Sequence, residues 1–172
     1  MTTNDLLFAL KDFTEKAVKD LRLPVKMQEN DQEQPPDRAP EVHLMRLPDS
    51  SAAKKKAPYI LHIKVTGDDS QDEGQRTQSL VTVRTVFCVY DENEENGALS
   101  LNEVMERLRI AFLKERVVDH RFELKLKKGQ SLENLVYTED TAPYYVGEMV
   151  STWELPAVER EVKLHEQVKE YF

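Results

Sequence analysis

The chain has 172 residues, 40% hydrophobic and 33% charged, with a formal net charge of −8, which favours one domain with a highly charged surface and gives no gain from phosphate counterion release, arguing against general nucleic-acid binding. Cys88 is the single cysteine, so no internal disulfide forms, as suits a reducing compartment. Only five glycines argue against a Gly-rich phosphate loop, no apolar run approaches the ~18 residues of a membrane helix, and the N-terminus lacks the basic start and cleavage site of a signal peptide.

The first predicted element is a helix from about Asp5 to Leu21. Thr3 or Asn4 caps it, Leu6, Leu10, Phe13, Ala17 and Leu21 form its apolar face, and Pro24 stops it. Residues 26–40 are polar and contain Pro35, Pro36 and Pro40, the composition of an exposed loop or partly extended linker. A short strand is expected over Glu41–Leu47, then a loop near 49–57 carrying Lys54, Lys55 and Lys56. Such a lysine run either meets an anionic partner or is simply solvated. Tyr59–Thr66 alternates as a strand. Residues 67–77 are too polar to pack and read as a solvent loop between neighbouring antiparallel strands. Gln78–Tyr90 is a long strand, β-branched on both faces at its centre, which predicts an interior position. At about 3.3 Å per residue it outruns a small core, so one end should project or pair with another subunit.

An acidic turn, Asp91–Gly97, comes next. A second helix is predicted over Ser100–Lys114, because Ser100 and Glu103 have the spacing of a capping box. Leu101, Val104, Met105, Leu108, Ala111 and Phe112 then share one stripe. Strands are expected from Phe122 to Lys127 and from Tyr144 to Leu155, the latter ended by Pro156. Ala157–Phe172 is either a docked helix or an arm that packs on a partner. The whole predicts an α+β fold, with a mostly antiparallel sheet of four to five strands and two helices. One domain would span residues 1–156, with the C-terminal segment 157–172 appended.

Nothing in the residue pattern assembles a catalytic centre. His43, His62, His120 and His165 stand at no metal-ligand spacing and read as scattered surface or edge residues. Cys88 sits mid-strand in an apolar setting that blunts a thiol, so it reads as buried and structural. Asp91, Glu92, Glu94 and Glu95 crowd one turn but lack the twelfth-position glutamate of a calcium loop. Tyr137, Tyr144, Tyr145 and Trp153 form an aromatic group, more often core or interface than ligand platform. No catalytic, cofactor-binding or metal site is therefore predicted.

The order of elements resembles the tail terminator, or tail completion, proteins of long-tailed bacteriophages. The resemblance rests on Val89-Tyr90-Asp91-Glu92 through Asn96-Gly97, on the helix pattern Leu101, Val104, Leu108, Arg109 and Phe112, and on the late strand with Tyr144, Gly147, Trp153 and Pro156, followed by Arg160-Glu161. It covers roughly Ala57 to Glu161. It implies a small α+β domain with both helices packed on one face of the sheet, and a structural protein without enzyme activity or cofactor, found in the virion at the tail or neck, and in the host cytoplasm during assembly. Six copies would form a ring on the head-proximal end of the tail tube, end polymerisation and present a surface for head–tail joining. Expected partners are the chain itself, the tail tube protein, a sheath protein if the tail is contractile, and a head-completion or connector protein. DNA would pass through the ring lumen without sequence-specific contact. No membrane is involved.

A ring needs two different complementary patches per subunit. The interface candidates are Lys54, Lys55 and Lys56 on one side and Asp91, Glu92, Glu94 and Glu95 on the other, with Arg160, Glu161 and Phe172 in the C-terminal segment. Another neck component, a head-completion or stopper protein, is the nearest alternative. A small enzyme or a peptide-binding module would be the next, and either predicts a chain that never forms rings.

Overall fold

The computed structural model describes residues 1–48 and 56–162. Helix α1 spans Thr3–Val18, beginning and ending before the expected boundaries. The cap is Thr2, whose backbone N–H donates to the Asp5 carboxylate at 2.7 Å, with the Thr2 hydroxyl at 3.2 Å. The backbone hydrogen bond is the main cause that holds Asp5 below the usual carboxylate pKa. The chain then loops out and returns. Leu23 and Arg38 exchange both backbone hydrogen bonds at 2.9 and 3.0 Å, and the Arg38 guanidinium is pinned on the carbonyls of Ala39, Lys56 and Pro58. The polar stretch between them is largely exposed, as its composition predicts.

The described residues then form seven strands, where four to five were expected. They are β1 (Glu41–Leu44), β2 (Tyr59–Ser70), β3 (Gln78–Tyr90), β4 (Val117–Val118), β5 (Phe122–Lys125), β6 (Glu133–Val136) and β7 (Tyr144–Leu155), with α2 (Glu94–Glu115) between β3 and β4. The order across the sheet is β1-β2-β3-β7-β5-β4. β3 holds one edge of β7 along nearly its whole length. β5 and β6 therefore share the other edge, β5 beside Thr152–Glu154 and β6 beside Gly147–Val150. The two extra strands escaped prediction for physical reasons. β4 has only two residues, and β6 is exposed at all four positions, so neither carries the burial alternation that marks a strand. β1 is shorter than expected because Met45, at φ 64°, turns the chain out of the ladder. Among the described residues it is also the one strand paired parallel.

The β2–β3 hairpin is longer than the composition suggested. Register runs on through Thr66↔Thr82 to Ser70↔Gln78, so the loop is only residues 71–77. Polar side chains do not oppose a ladder whose backbone bonds are satisfied regardless of side chain. β1 covers the outer edge of β2 only over Tyr59–His62. From Val65 onward β2 is exposed, Val65 itself at 53%.

The start of α2 corrects the sequence reading. The helix begins at Glu94, six residues before Ser100. Asn93 is the cap, its side chain accepting from the Asn96 N–H at 3.0 Å. Glu94 and Glu95 lie in the first turn, where the helix dipole favours carboxylates. Gly97, which reads as a turn residue, lies inside the helix, where a Cβ would meet the Tyr145 ring at 2.1 Å and only glycine fits.

Both helices pack on one face of the sheet. Leu6, Leu10 and Val18 of α1 and Leu101, Val104, Leu108 and Phe112 of α2 share a core with Ile60, Val81, Val83, Phe87, Met149 and Trp153. Trp153 is fully buried, edge-on to Phe112 with ring centroids 5.1 Å apart. Its indole N–H donates to the Ser151 hydroxyl at 2.8 Å. A second, smaller cluster covers one end of the opposite face: Leu47, Ala57, Tyr59, Leu61, Cys88, Tyr90 and Tyr144. β3 is thus interior to the sheet and covered on both faces only toward Tyr90, and Cys88 is buried as its setting implied.

His62 is not a surface histidine. It points into the main core, fully buried. Its Nε2 pairs with the Thr14 hydroxyl of α1 and its Nδ1 with the Thr85 hydroxyl of β3, both at 2.7 Å. A neutral ring has one donor and one acceptor nitrogen, and a hydroxyl can serve either. Burial drives the imidazole pKa down to about 3.

Two measurements test this packing. Gly97→Ala should destabilise the protein by about 1–3 kcal/mol through overpacking, although alanine favours a helix. In a Tyr145→Ala background the same change should be neutral or stabilising, as read by thermal unfolding. His62 sets an acid limb. Its folded pKa is depressed, so the unfolded chain binds the extra proton, and stability present above about pH 6.5 is lost as pH falls toward 3. Between about pH 6.5 and 5, above the carboxylate range, the unfolding free energy should fall by up to about 1.4 kcal/mol per pH unit. His62→Leu should flatten that limb, at the cost of two unpaired hydroxyls at neutral pH.

Candidate interaction surfaces

The acidic residues on the interface side sit where β3 hands over to α2. Asp91 accepts from the Asn93 N–H at 2.9 Å and so shapes the turn. Glu92 accepts from the Tyr90 hydroxyl, and that hydrogen bond is the main reason the phenol is pushed up to about 12. Glu94 and Glu95 are exposed. Of the four, Asp91 and Glu92 are committed to local structure, while Glu94 and Glu95 face solvent with no salt-bridge partner among the described residues.

The other interface candidates are not gathered with them. Lys56 is half-buried, and its carbonyl holds Arg38 at 2.9 Å. Arg160 and Glu161 are exposed beyond the end of β7. Among the described residues, no ion pair joins Lys56 or Arg160 to the acidic turn. Lys54, Lys55 and Phe172 lie outside the described residues. Just before Arg160, Glu159 reaches Arg76 of the β2–β3 loop at 3.7 Å, which brings the chain past β7 alongside that loop.

The aromatic group separates. Trp153 and Tyr145 turn toward the helices, and Tyr144 enters the second cluster. Tyr137 lies over the open sheet face, where it joins an arrangement that sequence reading missed. Arg84 Nε donates to Glu148 at 2.5 Å, and its Nη2 reaches the Tyr137 hydroxyl at 3.1 Å. The Tyr137 hydroxyl in turn donates to Glu148 at 2.7 Å. Tyr137 first, and then Arg84, lower the Glu148 pKa, against a rise from desolvation. Strand alternation already places Arg84 on the face away from the helices. The cross-strand register that brings Glu148 near it was the missing information.

Three surface concavities matter. A polar groove of about 620 Å³ lies where the ends of β3, β5 and β7 meet the hairpin loop, with Arg121 and Lys127 facing Glu123 and Glu154. Glu154 is tied to Gln78 at 2.9 Å and to Lys125 at 3.1 Å, so its charge is balanced within the sheet. An apolar groove of about 430 Å³ runs between the helices, lined by Phe13, Ala17, Ile110 and Ala111. A third of about 280 Å³ opens beside Phe8. No group of three metal-ligating side chains gathers among the described residues. No described helix is long and apolar enough to cross a membrane.

Removing the Tyr137 hydroxyl tests the open-face triad. In Tyr137→Phe the Glu148 carboxyl should titrate at higher pH than in the wild type, by NMR. Its pKa should rise further in Tyr137→Phe/Arg84→Gln. In comparison with known proteins, the chain matches no family model and no curated sequence.

Proposed function

We propose that this chain is a structural subunit of a phage tail or tail-like particle, a ring-forming protein that ends the tail tube and receives the head. The single observation that carries an assembly role is the β2–β3 hairpin. Beyond Ile63 the outer edge of β2 has no partner strand among the described residues, while β3 stays paired to β7 as far as Ser79. An open edge invites pairing. Asp68 and Asp69 on that edge discourage indiscriminate pairing, so the edge suits one specific neighbour.

The resemblance to tail terminator proteins supplies the kind of assembly. The residues behind it hold structural posts. Trp153 fills the core, Gly147 leaves room for the Met105 sulfur at 2.5 Å from where a Cβ would stand, and Leu101, Val104, Leu108 and Phe112 pack α2 on the sheet. The functional groups found are spread over surfaces and paired locally, which suits contact with large partners better than turnover of a small molecule.

Electron microscopy of particles made without this protein tests the role. Overlong tails with unattached heads are the expected result. Tails of normal length with unattached heads would instead assign the chain to a stopper or head-completion step. Intact, infectious particles would remove the proposal.

A further inference from the structure

The sheet has two open edges, on opposite sides. One is β2 from Thr66 to Ser70, with β3 on its inner side and no strand outside it among the described residues. The other is the outer edge of β6, which pairs only with β7 among the described residues. On β6, Leu135 and Val136 are 52% and 43% exposed, and Tyr137 beyond it is 38% exposed. Edge strands are normally blunted by lysine, proline or a bulge, and this run of three is not.

The two edges match in direction and in hydrogen-bonding phase. β2, β3, β7 and β6 alternate in direction across the sheet, so in a ring of like-oriented copies β2 of one stands antiparallel to β6 of the next. The Tyr137 N–H donates to the Val146 carbonyl at 3.0 Å, so Asn134 and Val136 turn their backbone groups outward. On the other edge the His62 carbonyl accepts from Met45 at 2.7 Å. The backbone of its partner Thr85 therefore faces β7, and those of Thr82, Leu80 and Gln78 face β2. That leaves the backbone groups of Gly67 and Asp69 turned outward.

We infer that β6 of one copy pairs with β2 of the next, Gly67 opposite Val136 and Asp69 opposite Asn134, to make one continuous sheet around the ring. The faces stay in line, because Gly67 and Val136 both lie on the helix side, beside Val81 and Gly147 of their own sheets. Thr66 then meets Tyr137, a favourable β-branched and aromatic pair, and Asp68 meets Leu135. Sliding by two residues toward a shallower stagger would instead set Asp68 opposite Glu133, and like charges directly opposite destabilise. The stagger also fits a closed sheet. Asp69 is level with Ser79 and Leu155, and Leu155 lies six residues beyond Met149, the partner of Asn134. Neighbouring copies are thus offset by about 20 Å over four strand spacings of about 4.8 Å, a tilt of about 45°, as in barrels. The occupant is the chain itself, and the contact is head-to-tail. A two-fold pairing of β2 with itself about the middle of its open edge would set Asp68 against Asp68. A two-fold pairing of β6 with itself would close a dimer and leave both β2 edges open. The inference rests on the ring proposed above and assigns its junction, moving the two complementary patches from the charged loops to the two sheet edges.

The test uses the full chain as Asp68→Cys, Leu135→Cys and Asp68→Cys/Leu135→Cys, oxidised alone and with tube protein and separated without reductant. In the inferred register these two positions form a non-hydrogen-bonded pair with Cα atoms about 4.5 Å apart, within disulfide reach. The double variant should give a ladder of covalent multimers. An equimolar mixture of the single variants should give covalent dimers only, and each single variant none. Dimers from either single variant alone would mean that an edge pairs with itself and would overturn the inference. Val136→Pro needs no cross-link. The Val136 N–H faces away from β7, so proline there leaves the ladder of the single chain intact, and an unchanged circular dichroism melt confirms folding. It should weaken association about tenfold or more by analytical ultracentrifugation. Rings that persist in Val136→Pro, with no cross-link in the double variant, would overturn this junction and leave the ring itself standing. A wild-type chain that stays monomeric throughout, alone and with tube protein, would overturn the ring and the junction together.

Discussion

The pairing of β3 with β7 is the constraint on which the rest of the molecule depends. It runs unbroken from Ser79↔Leu155 to Tyr90↔Tyr144. Side chains alternate between faces along a strand, so this one register decides both sides of the sheet. On one side it aligns Val81, Val83 and Phe87 with Trp153, Ser151 and Gly147, the floor on which α1 and α2 rest. On the other it sets Cys88 and Tyr90 beside Val146 and Tyr144, and Arg84 close to Glu148. A slip of β7 by one residue would put Trp153 on the open face and Glu148 in the core.

The helices are then fixed by shape and by one polar contact. Gly97 and Gly147 are the positions where α2 and β7 approach most closely, through Tyr145 and Met105. Thr14, His62 and Thr85 link α1, β2 and β3 through a buried imidazole whose nitrogens are both matched. Such a network is costly when half-satisfied and specific when complete. It ties the position of α1 to the same sheet register that places Trp153.

Much of this was legible in the chain. α1, β3 and β7 announce themselves by periodicity, and β7 has the predicted ends, Tyr144 and Leu155. The α+β class also follows from pattern, while the placing of both helices on one face was what the resemblance implied. What stayed hidden depends on tertiary contact. Gly97 looks like a helix breaker until the Tyr145 ring occupies the space, and the Ser100-x-x-Glu103 spacing therefore imitates a helix start that Asn93 already provides. His62 alternates with core residues, but only the placement of Thr14 and Thr85 makes its burial tolerable. β6 has no buried position and therefore no alternating signal. Of the interface residues read from sequence, Glu94 and Glu95 stand free on the surface, while Asp91 and Glu92 serve the turn, and the apolar groove between the helices needed both helices in place to be seen.

The assembly role proposed above would account for what remains open at the surface: the edge of β2 beyond Ile63, the exposed Leu99, and the groove beside Phe13. Amide hydrogen exchange compared between dilute protein and assembled particles reads these surfaces most directly. The account predicts that the outward-facing amides of Val65–Ser70, those not bonded to β3, exchange rapidly in the isolated chain and become strongly protected on assembly, while the β3–β7 ladder is protected in both. Equal exchange of Val65–Ser70 in the two states would contradict it.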